Sequence, residues 1–180
     1  MCTRFWFMIA LSAVLSVLFP ADKARAQWVT VAPPEGGFSA VLPAQAEFRH
    51  LPPKPKVDTR VWLEDNGQLL SLIGVTDYDA HIDTERELEL DVKNFLTSDK
   101  STLKSQKRLS FSKAPDGPLQ AVHFTFTDAA GTGESLVVVS GDRAYQVVVR
   151  AENGYDGRAD MARVIKSFRI TVPSRRWQGG

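Results

Sequence analysis

Cysteine is all but missing: the 180 residues contain one, Cys2. A lone cysteine closes no internal disulfide and builds no Cys-ligated zinc centre. Charge of one sign is not in excess either, with 22 Lys and Arg against 21 Asp and Glu. That balance removes the electrostatic case for a nucleic acid or a whole-surface polyanion as partner. Long apolar runs are lacking except for Phe5 to Phe19, and at 15 residues this one falls short of the about 20 that a membrane-spanning helix needs. Motifs of catalysis are missing too. The chain has no Gly-x-Ser-x-Gly elbow, no His-Glu-x-x-His helix and no phosphate-cradling Gly-Lys-Ser loop.

The single apolar run carries the first positive signal. Arg4 precedes it, Pro20 closes it, and Ala24-Arg25-Ala26 offers small residues at −3 and −1 of a signal peptidase site. Residues 1–26 are therefore expected to be a cleavable secretory signal peptide, leaving Gln27 first in a periplasmic or secreted protein. The alternative is an uncleaved amino-terminal anchor, to which the charged approach Asp22, Lys23 and Arg25 points. Cys2 lies ahead of the run, so no lipobox exists. Cleavage removes Arg4, Lys23, Arg25 and Asp22, leaving 154 residues with 19 basic and 20 acidic side chains and no cysteine. Such a chain is one domain, held by packing alone and with no membrane span of its own. Residues 27–172 are expected to form it. Pro173, Arg175, Arg176, Gly179 and Gly180 mark 173–180 as a disordered tail.

Within the domain the dominant period is two. Trp28 to Val31 and Phe38 to Leu42 read as strands, and the prolines at 43, 52, 53 and 55 make 43–56 an extended connector. Val57 to Leu63 alternates, and Asp65-Asn66-Gly67 turns it into Leu69 to Tyr78. The period then becomes helical: Leu88, Val92, Phe95 and Leu96 share a stripe opened by Asp83 or Thr84 and ending near Ser98. Leu103 to Phe111 reads as a basic edge strand. Leu119 to Thr127 follows, and Gly141-Asp142 joins two Val-rich strands, Ser135 to Ser140 and Arg143 to Arg150, before a closing helix over Asp156 to Ser167. The fold class is α+β: an antiparallel sheet of about seven strands covered by two or more helices. Its core is expected to include Phe38, Val61, Ile73, Phe124, Val147 and Phe168, together with Leu63, Leu70, Leu72, Phe95 and Ile165.

Three stretches carry a family resemblance. WVTVAPPEGGFSAVLPAQAE at the start, Arg143 to Glu152 (RAYQVVVRAE) and Met161 to Ile170 (MARVIKSFRI) resemble small exported bacterial proteins of the PsbP-like superfamily. The resemblance implies an antiparallel sheet covered by helices. Its members serve as an extrinsic photosystem II subunit, as a partner of a Ran-type GTPase or in undefined periplasmic roles, so it implies binding without catalysis and fixes no ligand.

Candidate sites are few. Ser101-x-x-Lys104 and Ser110-x-x-Lys113 match the short pattern of serine acyl-enzymes, but that chemistry needs the serine at a helix start with further motifs downstream, and both pairs lie in or beside an edge strand, so the match is read as chance. His123 falls in an aromatic strand and His50 in the Pro-rich connector. No catalytic residue and no cofactor is assigned. The sharpest cluster is Asp77, Asp79, His81 and Asp83, four metal-ligating types at every second position, whose side chains an extended strand turns to one face. Oxygen-rich ligation with one imidazole suits zinc, manganese or calcium. Against it, side chains at i and i+2 lie about 6.6 Å apart, and Asp83 is equally placed to cap the helix. For partner binding, Trp62, Trp177, Arg175 and Arg176 are the candidate anchors, with a buried Trp62 and an idle tail as the alternative. The function expected is a non-enzymatic binding or accessory module. The rival class is a small hydrolase or lyase, possibly metal-dependent, which would need titratable groups converging in a pocket.

Overall fold

The computed structural model describes residues 27–44 and 46–175. Ten strands and two helices follow one another as β1 (Val29–Val31), β2 (Phe38–Leu42), β3 (Glu47–His50), β4 (Val57–Asp65), β5 (Leu69–Tyr78), α1 (Thr84–Ser98), β6 (Thr102–Phe111), β7 (Leu119–Thr127), β8 (Gly131–Ser140), β9 (Arg143–Glu152), α2 (Arg158–Ser167) and β10 (Arg169–Ile170). Seven of the strands form one sheet in the order β3-β4-β5-β9-β8-β7-β6, antiparallel throughout, and β1-β2-β10 form a second, smaller one.

Alternation along each strand divides the core in two. Leu69, Ile73 and Val75 of β5, Tyr145, Val147 and Val149 of β9 and Leu136 and Val138 of β8 face one way, against Met161 and Val164 of α2 and Phe38, Ala40 and Leu42 of β2. Val122, Phe124 and Phe126 of β7 with Val137 and Val139 of β8 face the other way, against Leu88 and Val92 of α1. The large sheet is thus the middle layer, with α1 on one face and α2 plus the small sheet on the other.

α1 forms where the sequence places it. The Asp83 carboxylate accepts a hydrogen bond from the Arg86 N–H at 2.8 Å, and Glu85 and Glu87 sit in the first turn, where the helix dipole favours negative charge. Other boundaries move. The connector 43–56 contains β3, which pairs with β4 through Glu47 to His50, and α2 begins at Arg158, two residues after Asp156. Leu63 and Leu70 join neither core cluster, because β4 and β5 point them away from α2 on a stretch α1 does not reach. Pro173 to Arg175 are not a loose tail: Asp142 N donates to the Arg175 carbonyl at 2.8 Å and the Ser140 hydroxyl to Ser174 at 2.9 Å. The strap passes so near Gly141 that a Cβ there would stand 1.7 Å from the Arg175 carbonyl oxygen, and φ of +63° independently favours glycine.

Candidate functional site: an arginine-clamped carboxylate

Asp77 lies next to the end of β5, on the face turned toward α2, and is only 5% exposed. Its cross-strand neighbours are Asp58 on β4 and Arg143 on β9. Two carboxylates directly opposite repel, and a buried one is unstable without a partner. Arginines resolve both problems. Arg143 grips Asp77 in a fork, Nε to Oδ1 at 2.5 Å and Nη2 to Oδ2 at 2.8 Å. Arg60 Nη2 donates to Asp77 Oδ2 while its Nε stands 3.5 Å from Asp58, which in turn holds His50 at 2.5 Å. Arg175, from the strap, reaches Asp77 Oδ2 at 3.1 Å and Asp79 Oδ1 at 3.2 Å. Burial alone would push the Asp77 carboxyl up, but the Arg143 hydrogen bonds and the charges of Arg143, Arg60 and Arg175 outweigh it and hold the group below its ordinary value.

The cluster also gathers backbone. Arg60 donates to the Glu35 carbonyl, and the buried Tyr145 hydroxyl donates to the Gly37 carbonyl at 3.3 Å. Gly37 has φ of +63°, and a Cβ there would come within 2.5 Å of Val172. The β1–β2 loop, three strands of the large sheet and the carboxy-terminal strap therefore meet at one carboxylate.

Asp77, Asp79, His81 and Asp83 are placed apart, each beside a different group. Asp77 is enclosed by three guanidinium groups whose charge repels a metal, Asp79 turns to Arg175, His81 Nδ1 lies 3.5 Å from Asp142, and Asp83 caps α1. Among the described residues no group of three or more His, Cys, Asp or Glu is placed to hold a metal ion. The expected anchor Trp62 is 3% exposed, packed edge-on to Phe38 at 5.0 Å and against Phe48 at 5.2 Å, so it belongs to the core. Arg175 is an intramolecular clamp. Arg176 and Trp177 lie outside the described residues, as do residues 1–26.

Sequence reasoning missed the partners of Asp77, since Arg60 and Arg143 are 17 and 66 residues away and no local pattern links them. It also missed two strained acids. Glu64 is buried beside the turn into β5, and burial with the charge of Asp65 pushes its carboxyl up to about 7. Asp91 of α1 is pushed up to about 8 by burial and by Glu87, one turn away, to which the Tyr78 hydroxyl donates. His123 stands 3.0 Å from Glu134 across β7 and β8.

No family model and no curated protein matches the chain. Among solved structures, the solution structure of cyanobacterial PsbP (CyanoP) from Synechocystis sp. PCC 6803 is similar at a TM-score of 0.50 and 12% identity, covering 89% of this chain and 98% of that one. The fold is PsbP-like. At that identity the similarity speaks for the arrangement of strands and helices alone.

Proposed function

We propose that the protein is an exported, non-enzymatic accessory module that acts by binding a partner. The observation carrying this reading is what the ionisable groups do. Asp77 is saturated by arginines, Asp83 caps a helix, and His123 is paired with Glu134, so the groups a hydrolase would draw on hold the fold together. The PsbP-like fold supports the same role. Export rests on residues 1–26, whose charge and length suit a signal peptide, and implies a periplasmic or secreted location. Among the described residues no helix is long and apolar enough to cross a membrane.

The test is turnover. The mature protein is assayed against chromogenic ester, amide, phosphoester and glycoside substrates, each with zinc, manganese or calcium present. No rate above the blank is expected; turnover that disappears in a His123→Ala or Asp77→Asn variant would overturn the reading.

A further inference from the structure

We propose that the free edge of β6 is a docking site for an extended acidic segment of a partner protein, which adds to the large sheet as an eighth strand. The inference rests on the binding-module reading and names the surface and the partner's chemistry.

The two edges of the large sheet differ. β3 at one end has four residues and lies between Pro43 and Pro52, so it offers little ladder. β6 at the other end has ten, spans about 33 Å, and exposes eight of them. An antiparallel edge strand leaves the amide and carbonyl groups of alternate residues without a strand partner, which is the template that strand addition uses. Leu103 on the same strand is one of the exposed large apolar side chains, 40% exposed. A register shift between Leu103 and Ser105 twists the first turn of the edge, leaving Ser105 to Phe111 regular.

Charge selects the occupant. From Lys100 to Pro115 the chain carries Lys100, Lys104, Lys107, Arg108 and Lys113 and no carboxylate. Lys107 shares a face with Leu109 and Phe111, toward α2, while Arg108 points to the α1 side, where Glu85 and Glu89 stand 3.1 and 3.6 Å away. Lys104 and Lys107 are exposed and make no ion pair among the described residues. The unpaired positive charge along the edge is thus that of Lys104 and Lys107, since Arg108 is held by the two glutamates of α1. A second copy of β6 would set like charges against each other, which opposes self-pairing. A strand with carboxylates would set them beside Lys104 and Lys107, on the side away from the glutamates of α1 at least for Lys107, while its backbone completes the ladder. At the end of the same edge a depression of about 400 Å³, lined by Glu85, Arg108, Ser110, Leu119 and Gln120 among others, can take an uncharged side chain of the incoming strand.

The experiment is an NMR titration of the mature protein with a capped peptide of Val-Glu-Glu repeats, reading amide exchange along β6. Slowed exchange at alternate β6 amides is expected. Affinity should fall roughly tenfold in a Lys104→Glu, Lys107→Glu double variant and vanish when the peptide's alternate amides are methylated. A Lys107→Gln variant replaces the double variant if that fails to fold. The proposal is overturned if no β6 amide responds, if the methylated peptide binds equally well, if the chain dimerises through β6, or if phosphatidylglycerol vesicles and not the peptide show the dependence on Lys104 and Lys107. Silent β6 amides with no turnover in the substrate assays defeat this inference alone, whereas turnover defeats the reading beneath it.

Discussion

Asp77 shows at the scale of one residue why a sequence pattern and a site differ. Four ligand types at every second position are visible in the sequence, but whether they meet depends on what approaches from elsewhere, and here three arginines from β4, β9 and the strap arrive. None has a local signature, because cross-strand register is set by the whole sheet. Removing the charge should therefore act on stability. Asp77→Asn leaves two partly buried guanidinium groups without their anion and is expected to destabilise by about 2–4 kcal/mol at pH 7. The pH dependence has a definite sign. Because folding holds the Asp77 carboxyl below its ordinary value of 3.8, its contribution is complete above that pH and is lost as pH falls through the lower, folded value. Denaturant midpoints of wild type and variant should be well separated at pH 7 and draw together in strong acid; coincidence at pH 7 would refute the clamp.

At the scale of elements most of the fold is legible. The period of two located the large-sheet strands from β4 onward, except that β8 begins at Gly131, four residues ahead of the expected Ser135; Asp65-Asn66-Gly67 and Gly141-Asp142 located two hairpins, and Asp83 located the start of α1. Less legible is which face of a strand is covered: Leu70 is apolar yet half-buried, while Ser71 beside it is wholly buried. β3 was hidden by its flanking prolines, since four exposed residues carry no alternation. α1 also holds a defect. Asp91 keeps its proton in the folded protein up to about pH 8 but ionises near 3.8 when unfolded, so it opposes folding increasingly from about pH 4 to about pH 8. Asp91→Asn should raise the melting temperature at pH 8, a gain of about 1–3 kcal/mol, and leave it nearly unchanged near pH 4. An equal offset at both values would show that the carboxyl is not strained. Glu64 has the same sign over the window from 4.5 to about 7.

For the whole molecule, near neutrality conceals an uneven surface. α1 carries Glu85, Glu87, Glu89 and Asp91, whereas the segment from Lys100 to Pro115 is purely basic along an open edge. On the proposed reading, that basic open edge is the place for a partner. Site-specific photo-crosslinking in the producing cell tests this most directly, with the photoreactive residue placed either at Gln106 on β6 or at the exposed Ala159 on α2. The account expects a discrete adduct from Gln106, mapping to an acidic stretch of the captured protein, lost in the Lys104→Glu, Lys107→Glu background and not formed from Ala159. Adducts from Ala159 alone, or a Gln106 adduct indifferent to both lysines, would contradict it.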